Sequence, residues 1–355
     1  MNTITNLLPG PVNIPSAVQL CMQNRPYSHR ITPFNDLYQH LVKHVQGLGM
    51  PNVQVLQGNG TLANDVIANQ LLGLPAKGII IENGEFGKRL VRQAKNIGLR
   101  FEVFKSEIGA PILLDQLNTI FKTKEIQWIW FVHCETSSGQ LNPLQEIVQL
   151  CQVHHVICAV DAISTIGNLA VDFSGASFVS ATSGKGLSSL PGLCLVMYKS
   201  VLNTQSISHF LDLAYHEKQH NIPFTLSSNQ LEALVEGFNY SVNADHYTAI
   251  ESLSAQIKKW HFNSFQRLNV SQANPAVHTF VVKEGNASTT IGDLLAQKEV
   301  MVNCYTKYLQ EMNAFQICLM GEVTNIDLRN IFKILTEVDV ALAKKHDILS
   351  YIPVI

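Results

Sequence analysis

Between about residues 50 and 200, short apolar runs alternate with amphipathic stretches. Residues 77–82 (KGIIIE) read as a buried strand, and 88–96 as a helix that turns Leu90, Val91 and Ala94 inward. Residues 100–104 form the next expected strand. Residues 126–133 (IQWIWFVH) carry the strongest strand signal, followed by a helix over 143–154. Residues 156–161, 178–181 and 193–198 complete the series. Strands separated by helices of about ten or more residues need crossover connections, so the pattern predicts an α/β fold with a mainly parallel sheet covered on both faces. Ligands of such sheets sit at the carboxyl ends of the strands.

From about residue 245 the pattern changes. A helix over 249–260, a strand over 276–282, a helix over 291–298, a strand over 314–319 and a closing helix over 326–344 predict a smaller α+β domain. The expected organisation is an N-terminal segment (1–20), a large domain (21–245) and a small C-terminal domain (246–355).

Composition narrows the function classes. The 355 residues are 46% hydrophobic and 15% charged, enough apolar material for a large core. A net charge of -2 leaves no basic footprint for nucleic acid or an anionic membrane. No apolar run approaches the roughly 18 residues that span a bilayer, and residues 1–15 show no secretory signal, so a soluble cytoplasmic protein is expected. The seven cysteines are scattered without a CxxC pair, which disfavours a zinc site and a disulfide framework.

The polar residues at the strand ends carry the chemistry. After Leu56 comes QGNGT (57–61), either a turn with Thr61 as a helix cap or a cradle for a phosphate at a helix N-terminus. The apolar strand that ends at His133 runs into CETSSG, and the next ends at Asp161, an acid that needs a charged or hydrogen-bonding partner. Lys185 lies one strand further, among small residues in SATSGKGLSSLPG. A phosphate-loop reading requires a glycine at 179 and Ser or Thr after the lysine, but the residues are Val179 and Gly186. An amine, an acid and a phosphate cradle at neighbouring strand ends match the requirements of pyridoxal 5'-phosphate: a Schiff-base lysine, a partner for the pyridine nitrogen and an anchor for the phosphate.

The ordered blocks LLPGPVNIP, SHR, LQGNGT, NGEFGKR, VHCETSSGQLNP, VDAISTIG and SATSGKGLSSLPG, between about residues 7 and 240, resemble the class V, fold type I PLP-dependent aminotransferases. The resemblance is greatest to the 2-aminoethylphosphonate–pyruvate transaminase and alanine/serine–glyoxylate group. It implies that Lys185 forms the Schiff base and shuttles the proton, and that Asp161 pairs with the pyridinium nitrogen. It also implies that Phe86 and Ile163 pack on opposite faces of the ring, that Asn59, Gly60 and Thr61 cradle the phosphate, and that Thr136 approaches the phenolic oxygen. Thr225 would reach the phosphate of a neighbouring subunit, in a homodimer with shared sites. The substrates implied are a small amine or amino acid (2-aminoethylphosphonate, alanine or serine) and a small keto acid such as pyruvate or glyoxylate.

Two positions depart from the family pattern. Gln316 stands where the family offers the arginine that grips a substrate carboxylate, which makes Gln316 a candidate substrate contact and Arg30 of the SHR block a candidate replacement. Gly184 precedes the lysine where some relatives carry a glutamine or asparagine. A lyase or desulfurase of the same fold, and a non-catalytic paralogue, are the alternative functions. Cys318, in a strand-like run, is a poor match for a mobile desulfurase cysteine.

Overall fold

A computed structural model describes residues 4–204, 208–324 and 326–350. The outermost residues of the first and last expected segments, 1–3 and 351–355, lie outside the described residues. A seven-stranded sheet forms the centre, in the spatial order Asn52–Gln57, Leu193–Tyr198, Phe178–Thr182, Ile157–Asp161, Ile126–Val132, Lys77–Glu82, Phe101–Lys105. Six strands are parallel. Leu193–Tyr198 alone runs antiparallel to both neighbours, because only the loop 183–192 joins it to Phe178–Thr182, too short for a crossover helix.

The strands are apolar throughout because both faces are covered. Ile129 and Phe131 enter one core with Val160, Val179 and Leu195. Trp128, Trp130 and Val132 enter the opposite core with Ala159, Phe178 and Val196. A period of two therefore assigns alternate residues of one apolar run to two different cores. The strands expected at 77–82 and 193–198 match Lys77–Glu82 and Leu193–Tyr198, and the remaining sheet boundaries differ by one residue.

A third core gathers Leu7 and Val12 with residues from Ile250 onward, around the antiparallel sheet Phe265–Arg267, Val277–Val282, Ala314–Cys318 and the helices Ser288–Ala296 and Leu328–Ser350. Thr5–Leu7 pairs in parallel with Val300–Val302, so the start of the chain is tied to its C-terminal third. These three-residue strands have too few positions to show alternation, and the sequence pattern missed both. The helices Thr32–Gly47 and Ser228–Ser241 were also not anticipated. All seven cysteines are free and buried, as expected of small apolar residues. Among the described residues no helix is long and apolar enough to cross a membrane, and no cluster of His, Cys, Asp and Glu is arranged to hold a metal ion.

Three buried histidines make stability depend on pH. His133 lies edge-on to Phe173 at 6.2 Å with Nδ1 3.1 Å from Thr165 Oγ1. His246 lies edge-on to Tyr240 at 5.1 Å, and His278 Nε2 is 3.0 Å from the Pro275 carbonyl. Burial pushes all three down from 6.5 to about 4. Between those values the unfolded chain binds protons that the folded chain does not, so stability falls as pH drops from about 6.5 towards 4. Each histidine contributes up to about 1.4 kcal/mol per pH unit. Urea unfolding at pH 7 and pH 5 is expected to give a clearly lower stability at pH 5. A flat profile would mean that the three imidazoles are not held neutral.

Candidate active site

The functional groups converge where the sheet ends. Val132 is paired with Asp161, and Asp161 with Ser180, so the chain leaves three adjacent parallel strands at one edge. Asp161 is 5% exposed. Asn64 Nδ2 donates to Asp161 Oδ2 at 2.8 Å and the Ile163 N–H donates to Oδ1 at 3.0 Å. Asn64 is in turn fixed by Ser180, whose hydroxyl donates to Asn64 Oδ1 at 2.7 Å. Burial raises the Asp161 pKa, while the Asn64 and Ile163 hydrogen bonds and the charges of Lys185 and Arg89 act in the opposite direction. A cationic N–H brought to this carboxylate would restore the ionised form, so the site is suited to a protonated ring nitrogen.

Lys185 projects from the loop after Phe178–Thr182. Its Nζ donates to Ser164 Oγ at 3.2 Å and lies 5.5 Å from the centroid of the Phe86 ring. The Thr136 hydroxyl donates to the same Ser164 oxygen at 2.7 Å. Burial lowers the Lys185 pKa, opposed by the charge of Asp161. More of the amine is therefore neutral near pH 7 than in a free lysine, as a nucleophilic amine requires. Gly184 leaves no room for a side chain: a Cβ there would stand 2.9 Å from Pro191 Cγ and 3.0 Å from its Cα.

Asn59, Gly60 and Thr61 open the helix Gly60–Leu72 beside Asp161. The residue that caps this helix is Asn59, not Thr61, because Asn59 Oδ1 accepts the Thr61 N–H at 3.0 Å. One cradle donor is thus already engaged by a side chain of the cradle itself. Gly60 is required by close approach, since a Cβ would meet Ile163 Cδ1 at 2.4 Å. Phe86 and Ile163 both line the cavity.

The CETSSG cluster supplies a support as well as a wall. The buried Glu135 carboxylate accepts the N–H groups of Phe86 (3.1 Å) and Gly87 (3.0 Å), capping the helix Glu85–Asn96, which Gly84 cannot cap with a side chain. Ser137 donates its hydroxyl to Glu135 Oε1 at 2.5 Å. Burial raises the Glu135 pKa, and these hydrogen bonds oppose the shift. Glu135 therefore positions Phe86 from a strand 49 residues away.

The cavity between these groups encloses about 320 Å³. It brings together Lys185, Asp161, Asn59, Gly60, Thr61, Phe86, Thr136 and Ile163. Gln316 is not in its wall. Gln316 is fully buried in the strand Ala314–Cys318, donates to the Thr136 carbonyl (2.6 Å) and Thr279 Oγ1 (2.9 Å), and accepts from Asn303 Nδ2 (3.0 Å). Its expected role as a substrate contact is corrected on this ground: no polar atom of its side chain is left for a ligand. Arg30 is also outside the cavity, with its guanidinium donating to the carbonyls of Ile222 (2.8 Å) and Pro223 (3.1 Å). Thr225 lies beside that contact, is exposed, and faces a separate small cavity.

Sequence reasoning passed over Asn64, Ser164, Arg89 and Glu135. For Asn64 a signal existed: a polar residue one turn after Thr61 in a helix otherwise buried through Ala63, Val66, Ile67 and Ala68. Ser164 lay unremarked inside VDAISTIG. Arg89 and Glu135 gain their roles only from neighbours distant in the chain.

The family model for aminotransferase class V matches residues 39–304. A bifunctional phosphonoacetaldehyde hydrolase/aminoethylphosphonate transaminase from Clostridioides difficile is 24% identical over 92% of this chain, which spans only 55% of that protein. A 2-aminoethylphosphonate–pyruvate transaminase from Pseudomonas aeruginosa is 25% identical over 91% of this chain and 92% of its own length. Among solved structures, ureidoglycine–glyoxylate aminotransferase from Bacillus subtilis superposes with a TM-score of 0.86 at 19% identity, over 98% of this chain and 94% of that one. Alanine–glyoxylate aminotransferase from Nostoc sp. gives 0.83 at 19% identity, over 97% and 96%. These neighbours have the fold type I architecture, in agreement with the mainly parallel sheet read from the sequence. The family is generally PLP-dependent, and the two sequence relatives above are named as transaminases. With the family model covering most of its length, the chain belongs to the class V aminotransferases.

Proposed function

We propose that this aminotransferase binds pyridoxal 5'-phosphate and moves an amino group from a small amine or amino acid, of the 2-aminoethylphosphonate, alanine or serine type, to a small keto acid such as pyruvate or glyoxylate. The observation that carries the reading is the pairing of Lys185 and Asp161 at adjacent strand ends in one cavity, with the start of the helix Gly60–Leu72 in the same wall. The residues fit the cofactor on their own chemistry: an amine whose pKa burial lowers, a carboxylate held ready for a cationic N–H, and a helix N-terminus for a phosphate. Bound there, the cofactor supplies an electron sink for charge released at the substrate carbon.

The residues divide the remaining work. Lys185 would attach the cofactor and, in its free-amine form, carry the proton, with Ser164 in reach to hold that free Nζ. Asp161, steadied by Asn64, keeps the ring nitrogen protonated. Asn59, Gly60 and Thr61 would hold the phosphate, Phe86 and Ile163 would enclose the ring, and Thr136 would approach the phenolic oxygen. In a homodimer with shared sites, Thr225, exposed and away from this cavity, would serve the partner's site. A cytoplasmic location fits the same reading. The desulfurase alternative is disfavoured by Cys318, which is 1% exposed in a paired strand with its thiol pushed up to about 12 by burial.

Purified protein mixed with the cofactor should turn yellow, with a Schiff-base absorption band. 2-Aminoethylphosphonate, alanine and serine should each be tried as the agent that discharges this band, with pyruvate or glyoxylate restoring it. A protein that stays colourless with the cofactor removes the cofactor reading. A coloured protein that none of the three donors changes removes the donor class.

A further inference from the structure

Two cations line the cavity, Lys185 and Arg89, and the reaction above uses only the first. Arg89 is half-buried on the helix Glu85–Asn96, with its guanidinium carbon 4.7 Å from the centroid of the Phe86 ring. Among the described residues it has neither an ion-pair nor a hydrogen-bond partner, whereas Arg92, one turn along, pairs with Glu85 at 2.7 Å. The Arg89 charge is felt by Asp161, whose carboxylate is engaged by Asn64 and the Ile163 N–H, so the five donors of Arg89 remain for an oxyanion brought into the cavity.

The helix face indicates which oxyanion. Phe86, Arg89 and Gln93 follow at three and four residues, so they share one face. Gln93 Nε2 donates to the Thr61 carbonyl at 3.0 Å, in the first turn of the helix Gly60–Leu72, and to Asp65 Oδ1 at 2.6 Å, one turn further on. Arg89 therefore stands between the ring-facing Phe86 and the start of the cradle. One donor of the cradle is already taken. The Thr61 N–H is engaged by Asn59, and Gly184 across the cavity has no side chain and no space for one.

We propose that Arg89 clamps the phosphate of the bound cofactor, supplying the full positive charge that a helix N-terminus provides only in part. This rests on the pyridoxal phosphate reading of the site. Arg89 acts as a binding residue here and takes no part in proton transfer.

The test compares cofactor binding with and without the phosphate. Apoprotein prepared from the holoenzyme is titrated with pyridoxal 5'-phosphate and with pyridoxal, for the wild type, Arg89→Gln and Arg89→Lys, with melting temperatures recorded for all three. Arg89→Gln should weaken pyridoxal phosphate binding on the order of 10- to 100-fold, with Arg89→Lys in between, while pyridoxal binding stays the same. Faster cofactor loss from the Arg89→Gln holoenzyme on dilution would agree. Equal weakening for both ligands would overturn the proposal, since the arginine would then act on the ring or the fold. Unchanged cofactor affinity with a raised KM for an anionic amino donor would also overturn it, assigning the cation to the substrate. If the wild type binds neither ligand, the cofactor reading itself has failed, and that failure shows before any variant is compared.

Discussion

Lys185→Ala is expected to lower transamination by at least about 10²–10⁴-fold, the range that a positioned acid–base group contributes. The loss of the covalent attachment adds to that. The side chain lies among small neighbours and hydrogen-bonds to Ser164, so its removal should leave the fold intact. The spectrum separates the two roles. The variant should still bind the cofactor through Asp161 and the cradle, but with the absorption of the free or externally bound form instead of the internal Schiff base. A small exogenous amine should recover part of the rate, because it can carry the proton in the space the lysine vacates. Retention of more than a tenth of the wild-type rate would exclude Lys185 as the proton carrier. The lowered Lys185 pKa has a further consequence: attachment of the cofactor should persist to lower pH than it does for an ordinary lysine amine.

Gln316→Ala is expected to cost about 2–5 kcal/mol of folding stability. The fully buried side chain makes two donor contacts and one acceptor contact, and truncation leaves the Thr136 carbonyl and Asn303 without their partner. Each buried polar group left unsatisfied costs about 1–3 kcal/mol, and the vacated volume adds a cavity term. Denaturant unfolding of the variant measures this. Activity should fall as well, because the contacts continue from Gln316 to Thr136, from Thr136 to Ser164, and from Ser164 to Lys185. The chain of contacts joins the C-terminal sheet to the reactive amine. Gln316→Arg is not expected to create affinity for keto acids, since the position is enclosed and its surroundings already complement an amide. An unchanged stability for Gln316→Ala together with a raised KM for the keto acid would instead return Gln316 to the substrate site.

Arg30 and Thr225 bear on the same question from outside. Both lie near the Ile222–Pro223 backbone, away from the cavity that holds Lys185 and Asp161.

The sequence by itself determined the central sheet and singled out Lys185 and Asp161 at the ends of its strands. An apolar run with both faces covered is a local pattern, and a polar residue at its end stands out against it. Lys77–Glu82, Ile126–Val132 and Leu193–Tyr198 are legible for that reason, and so are Asp161 and Lys185. Short pieces such as Thr5–Leu7 and Val300–Val302 have no such pattern and exist only because they pair with each other. The tertiary structure alone decided what each polar side chain is bound to. Asn64 reaches Asp161 across 97 residues, and Gln316 reaches Thr136 across 180. A hydrogen bond has no sequence periodicity, so nothing in the order of residues distinguishes a glutamine that faces a substrate from one that ties two parts of the fold together. The same holds for Arg89: its type was always visible, but its lack of a partner beside the cradle became visible only when two helices packed against each other.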